Sequence, residues 1–536
     1  MRLKTCKSVC YIIKLLNLNH IQTKEINFMV TKTKTSLVSI CLTLFSSLAL
    51  SAPQLSQSCS GKAICTFQVI YGGKLFNNAD IEKLAKNSVV VTDRHQYRAF
   101  PKIKSLNPDE IILIYQNGPQ VAEDTDHLPP QFLNNIGRFD ISRGNTKGSV
   151  NDHPEWFLRN ESGGFVRNSI NKKSRVLDYG NPEVRDFWIE STQEDLVSKP
   201  WKGDGIWVDN FESFNSSAIS KDPSRLPAKY PDPKTNDTVT NTFIADITKA
   251  MHEQGQLIVP NRTNSRLADG EFAWLDLDSR ANPPDMVFEE GAFSVRWGLG
   301  DVQFFSPEDW SRQITIPSKL QNSSVAFLSH TDLSPGQTGV DSKGNAVNFN
   351  QIFFYSLGSY LLAKNEENPT LFSFDYSSAA NDRIIWYDAY DEIDLGGAIG
   401  EATPVSTDNN QVYMREFENG YVYVNPASTK AGNIPAPSDD ALEVAYDLDG
   451  NLLSMNELSN QTLSIGANSA AFVLKSQQVL ETDPVPTEET DPVPTEETDP
   501  VPTEETDPVP TEETDPVPTE REYSPIPTDE NGVLLD

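Results

Sequence analysis

Two short stretches of the chain share one plan: an acid, a brief apolar run, then another acid. In the first, Asp204 precedes Ile206, Trp207 and Val208, and the run ends in Asp209, Asn210 and Phe211. In the second, Asp285 precedes Met286, Val287 and Phe288, and the run ends in Glu289 and Glu290. If each run is a strand of a parallel β-barrel, its last side chains face a shared pocket at the strands' C-terminal ends, where such barrels keep their chemistry. Two carboxylates there can divide the work of cleaving a glycosidic bond. Asp209 and Glu290 each lie five residues past their leading acid, so the period-two alternation of a strand puts them on one side. The expected roles are nucleophile or base for Asp209 and general acid for Glu290. Glu289 replaces Glu290 if the register slips by one residue.

Polar residues follow the other apolar runs as well. Asp93, Tyr115, Asn210, Asn261, His330 and Asp375 stand at expected strand ends and form a set suited to sugar hydroxyls. Trp156 and Trp297 fall in expected loops, where an indole face can stack on a sugar ring, although indole is also ordinary core. The six histidines are scattered at 20, 95, 127, 153, 252 and 330, whereas a catalytic metal wants several converging ligands, so no metal is expected. Neither a Gly-x-Ser-x-Gly elbow nor a phosphate-binding glycine loop occurs, and no cofactor is expected.

The elements that must hold these residues can be read from periodicity. Eight apolar runs predict strands at Phe67–Tyr71, Val89–Thr92, Ile111–Tyr115, Ile206–Val208, Leu257–Val259, Met286–Phe288, Val325–Leu328 and Leu371–Phe374. A further run at Phe272–Leu275 could replace one of them. Helical patterns lie between: Asn241 as a cap before Phe243, Ile247 and Met251 with Gly255 closing; Ser306 capping before Pro307; and Asn350–Lys364, where Gly358 permits close approach. Strands alternating with helices predict an α/β fold, a (β/α)8 TIM barrel over residues 67–377. From Ile384 to Leu474 alternation replaces helix, and Glu418-Asn419-Gly420 reads as a hairpin turn, predicting an antiparallel β-sandwich over residues 378–475.

The ends of the chain differ from its middle. Residues 1–52 form a signal region in which 29–52 is the expected signal peptide, with a basic start, the apolar stretch Leu37–Leu50 and small residues before Pro53. This stretch is too short for a membrane span, so the mature chain is expected to carry none and to be secreted, periplasmic or cell-surface. Cys59 and Cys65, the pair beyond the signal, predict a disulfide loop over 53–66. Five copies of Glu-Thr-Asp-Pro-Val-Pro-Thr-Glu fill Glu481–Glu520 and predict a disordered acidic, proline-rich tail over 476–536. The formal net charge of −32 argues against nucleic acid or an anionic membrane as partner. A carbohydrate is the expected one, and nothing indicates the oligomeric state. An alternative reading is a surface protein that binds carbohydrate on a degenerate barrel without catalysis, which would not require both carboxylates.

Gly205-Ile-Trp-Val-Asp209-Asn-Phe, Ile258-Val-Pro-Asn261, Phe288-Glu-Glu290-Gly and the stretch from Tyr413 to Pro426 resemble the glycosyl hydrolase-like family 15. The resemblance covers roughly Phe67 to Lys475 and extends loosely to His153–Leu158. It implies a TIM barrel followed by a β-sandwich and a glycosidase reaction class, without naming a substrate.

Overall fold

The computed structural model describes residues 55–475, apart from 63, 71–74, 119, 123–152, 168–173, 198–201, 212–224, 264, 297–299, 377–383, 408–409, 436, 438–441, 447–451 and 454–461. The expected signal region and acidic tail lie outside the described residues. All eight predicted runs are strands: β1 (Phe67–Ile70), β2 (Val89–Thr92), β3 (Ile111–Asn117), β4 (Gly205–Asp209), β5 (Leu257–Pro260), β6 (Met286–Val295), β7 (Ser324–His330) and β8 (Thr370–Asp375). β1 to β5 form one parallel sheet in sequence order, and β6, β7 and β8 pair in parallel in a second. Single parallel bridges link the two at both edges, Asn261 with Phe288 and Thr66 with Phe372.

Side chains alternate between two cores, as a strand's period of two requires. One buried cluster takes Phe67, Val89, Val91, Leu113, Tyr115, Trp207, Val259, Phe288, Leu328 and Leu371. The intervening residues, among them Val90, Ile112, Ile206, Val208, Ile258, Val287 and Phe327, pack in the other cluster together with the helices. The first cluster is rich in rings: Trp207 lies 5.3 Å from Tyr115 and 5.2 Å from Phe288, and Phe67 lies 5.3 Å from Phe288. Leu55 and Cys65 belong to this same cluster, and Cys65 is joined to Cys59 by a disulfide.

Among the described residues each crossover carries an α-helix: α1 (Asn78–Leu84), α2 (Phe100–Leu106), α3 (Pro182–Thr192), α4 (Pro233–His252), α5 (Ala268–Asp278), α6 (Pro307–Lys319) and α7 (Phe349–Ala363). Ser306 caps α6 through the Asp309 amide at 3.1 Å, and Gly255 closes the turn after α4 with φ +67°. Two expectations fail. The run Phe272–Leu275 is part of α5 and not a strand. Asn241 is not a cap, because α4 begins earlier at Pro233 behind an Asp232 cap. The Asn241 amide is instead buried mid-helix and donates to the Ala273 carbonyl and to Asp276. Among the described residues no helix is long and apolar enough to cross a membrane.

After β8 the chain forms β9 (Ala398–Ser406), β10 (Gln411–Phe417), β11 (Gly420–Asn425), β12 (Ala431–Pro435), β13 (Leu442–Tyr446), β14 (Leu452–Leu453), β15 (Thr462–Ile465) and β16 (Ser469–Lys475). Six of these make an antiparallel sheet in the order β9, β10, β11, β16, β13, β14, and β12 pairs with β15 alone. β10 and β11 join through Glu418 and Asn419, the expected hairpin. Val412, Tyr423, Ile434, Leu463 and Val473 share a third buried cluster. Gly358 lets α7 approach the six-stranded sheet, since a Cβ there would sit 2.7 Å from the Ala470 Cβ.

Glu110 is a buried acid at the N-terminal end of β3, with neither carboxylate oxygen hydrogen-bonded. Burial pushes it from an ordinary 4.5 to about 9, against the opposing pull of Lys104 and Lys62. A carboxyl raised in the folded state stays protonated there while the unfolded chain ionises. Stability therefore falls as pH rises from about 4.5 towards 9, reaching a cost of about 3 kcal/mol near neutrality. Glu110→Gln is expected to raise the urea midpoint at pH 8 and to leave it unchanged near pH 4; an equal shift at both would contradict this linkage.

Candidate active site

Among the described residues, the ends of β2 to β8 bring polar side chains to the face that continues the ring-rich inner cluster. Asp209 is two residues past Trp207, Asn261 two past Val259, and Glu290 two past Phe288. Period two puts all three on the inner side, directly above the aromatic layer. Asn261 joins the carboxylates: its Nδ2 donates to Asp209 Oδ1 at 2.9 Å and to Glu290 Oε2 at 2.8 Å. Both hydrogens of one amide nitrogen are thereby used, one on each acid.

Asp209 collects further donors. The Tyr115 hydroxyl donates to its Oδ2 at 2.7 Å, and the Asn210 amide donates to Oδ1 at 2.8 Å. Burial pushes the carboxyl above the usual aspartate value of 3.8, and these three hydrogen bonds pull the other way. Tyr115, expected to touch sugar, is buried with its hydroxyl on the carboxylate.

The turn beyond Asp209 is tight. Asn210 adopts φ +64°, a left-handed conformation that asparagine tolerates better than most residues, and its Nδ2 donates to Asn117 Oδ1 at 2.7 Å. Gly118 donates its amide to the Asp209 carbonyl at 2.8 Å, and a Cβ on it would lie 2.5 Å from that oxygen. Glycine is required there. Arg262, the residue after Asn261, is buried and braces the same turn from behind. Its guanidinium donates to the Phe211 carbonyl at 2.9 Å and pairs with buried Asp237 of α4 at 2.6 Å.

Glu289 faces the other way. Two residues past Val287, it belongs to the helix-facing side and is fully buried. Its carboxylate accepts from the Ser265 amide at 2.6 Å and from Arg266 at 3.2 Å. The arrangement therefore brings Glu290, and not Glu289, to Asp209.

The remaining expected site residues divide. Asp93 is buried at the end of β2 and caps the short helix Arg94–Arg98, accepting from the His95 amide at 2.7 Å, so it serves the backbone. His330 and Asp375 pair across β7 and β8 on the inner side. His330 is buried, with Nδ1 2.5 Å from the Arg296 carbonyl oxygen and Nε2 4.0 Å from Asp332. Burial, with Asp332 nearby, raises Asp375 to about 7. Trp156 is not a surface platform: it is buried, stacks on His153 at 3.9 Å and donates from Nε1 to Glu183. Trp297 lies outside the described residues.

Sequence reasoning missed Asp332 and Asp237. Asp332 had a signal, since it closely follows a strand end, but Asp237 had none, because its partner Arg262 lies 25 residues away. Among the described residues no group of three or more His, Cys, Asp or Glu side chains could hold a metal ion.

The chain is similar to several solved structures. The glycoside hydrolase domain of PelA from Pseudomonas aeruginosa is 12% identical, over 59% of this chain and 96% of that one, with a TM-score of 0.36. An Anoxybacillus alpha-amylase is 10% identical over 79% and 99%, with a TM-score of 0.41. The trehalose-6-phosphate hydrolase of Bacillus licheniformis is 11% identical over 78% and 99%, with a TM-score of 0.39. No curated protein sequence matches the chain. The model of the hypothetical glycosyl hydrolase family 15 matches residues 104–421, a span that includes Asp209, Asn261 and Glu290 and more than half of the chain. The chain belongs to the hypothetical glycosyl hydrolase family 15.

Proposed function

We propose that the protein is a secreted glycoside hydrolase that cleaves a polysaccharide or oligosaccharide with Asp209 and Glu290. The observation that carries this reading is the single Asn261 amide donating to both carboxylates. Family membership supports the reaction class. In this reading the eight parallel strands close as a (β/α)8 barrel over residues 67–377, the later strands make a β-sandwich over 378–475, and the tail adds nothing to catalysis. Export through the residue 29–52 segment agrees with the disulfide between Cys59 and Cys65.

The roles follow from the donors. Asp209, whose three hydrogen bonds favour the charged form against the burial that raises its pKa, serves as nucleophile or base. Glu290 protonates the departing oxygen. Among the described residues the Asn261 side-chain oxygen Oδ1 is buried with no partner of its own, so the two acids set the orientation of the amide.

The test is release of reducing ends from a panel of neutral, acidic and amino-sugar polysaccharides by the full exported protein. A pH profile on the substrate so found adds a second readout. Asp209 must be ionised to act, so the rate climbs with pH through its raised pKa, and the acidic limb sits above 3.8. Tyr115→Phe removes a bond that favours the charged form, so that limb moves to higher pH. A limb that stays put or moves down would show that Tyr115 does not tune the nucleophile, and no release from any polysaccharide would remove the hydrolase reading.

A further inference from the structure

The spacing of the two acids bears on two chemistries, and the shared amide bounds how far apart their facing oxygens lie. Asp209 Oδ1 and Glu290 Oε2 lie 2.9 and 2.8 Å from one nitrogen, so even laid end to end these distances separate the oxygens by at most about 5.7 Å. Two hydrogens on a planar amide nitrogen point about 120° apart, which sets the oxygens nearer about 5 Å. Direct displacement by water needs carboxyl groups roughly 6.5–9.5 Å apart, to leave room for that water, whereas a covalent route uses about 5–5.5 Å.

We propose that the enzyme works by double displacement through a glycosyl ester on Asp209, and that it therefore transfers sugar to alcohols as well as to water. The inference rests on the hydrolase reading above. In the first step an Asp209 oxygen bonds to the anomeric carbon while the bond from that carbon to the departing oxygen breaks. Glu290 gives that oxygen its proton. Asp209 Oδ2 is suited to attack, since it accepts from Tyr115 alone among the described residues, while Oδ1 keeps the Asn261 and Asn210 donors as the ester's carbonyl oxygen. In the second step a hydroxyl, from water or another alcohol, bonds to the anomeric carbon and yields its proton to Glu290. The ester bond breaks, and Asp209 leaves as a carboxylate. Two inversions return the original anomeric configuration, and no oxidant or reductant is consumed.

The brace behind Asp209 fits this route. A nucleophile that must reach one carbon and later leave it needs a fixed position, which the Asn210 turn, Gly118 and Arg262 provide.

The experiment uses the full wild-type protein on whichever polysaccharide of the panel it degrades. Proton NMR reads the first-formed anomer before mutarotation, and mass spectrometry looks for methyl glycoside when methanol is added. The expected result is product of unchanged anomeric configuration, with methyl glycoside increasing in proportion to methanol. Product of opposite configuration with no methyl glycoside would overturn double displacement and leave the hydrolase reading standing. Absence of any degradation across the panel would remove both.

Discussion

Glu290→Gln is expected to lower turnover by roughly a hundred- to ten-thousandfold, and Glu289→Gln to leave the turnover number within a few fold of wild type. The two residues are neighbours of the same type, but they face opposite sides of β6. Glu290 reaches Asn261 at 2.8 Å above the aromatic layer, while Glu289 is locked behind the strand by the Ser265 amide and Arg266. In the proposed role, Glu290→Gln removes proton assistance to the leaving group without altering shape, so binding of polysaccharide should persist. Glu289→Gln alters a buried charge next to Arg266 and is expected to appear in thermal stability, not in kcat. The check is kcat for both variants, with the melting temperature beside it. Loss of activity in Glu289→Gln at unchanged stability, with Glu290→Gln active, would mean that the register is off by one.

The second large effect is on stability. Arg262→Met is expected to cost about 3–5 kcal/mol, because it leaves buried Asp237 without its guanidinium partner. The Phe211 carbonyl loses its donor in the same change. Arg262→Met combined with Asp237→Leu is expected to recover most of that loss, since an apolar pair replaces two charges that both paid for leaving water. Urea unfolding of the single and double variants reads this directly. Equal loss in both would show that Arg262 acts through Phe211 and not through Asp237.

How far the sequence carried the site is visible in Asp204 and Asp285. Counting five residues from each places Asp209 and Glu290 in register, and the structure supplies the physical reason. Asp204 accepts from the Ile112 amide and Asp285 from the Ile258 amide, each at 2.8 Å, so the two acids occupy equivalent places at the starts of their strands. The strands themselves were legible because short β-branched and aromatic runs bounded by polar residues leave little else to form. Helix starts were less so: Asp232 and Pro233 signal the start of α4, but Asn241 offers the same chemistry farther along.

Contacts between strands were not legible at all. Tyr115 is a strand-end aromatic in sequence, and only the pairing of β3 with β4 turns its hydroxyl onto Asp209. Trp156 looked like a loop tryptophan, and only the stacking of His153 and the bond to Glu183 show it to be core. Asp93 reads in sequence as a cleft residue, and only the helix that follows shows it as a cap.

The central claim is that Asp209 and Glu290 act together on a glycosidic bond, and Asp209→Asn tests it most directly. Asparagine keeps the shape of the side chain but cannot attack carbon or accept a proton as a carboxylate does. The measurement is reducing-end release by wild type and Asp209→Asn on the same polysaccharide, with binding of that polysaccharide measured in parallel. The account predicts release by the wild type, a loss of at least about a thousandfold in the variant, and binding by both. Wild-type rates in Asp209→Asn would contradict it.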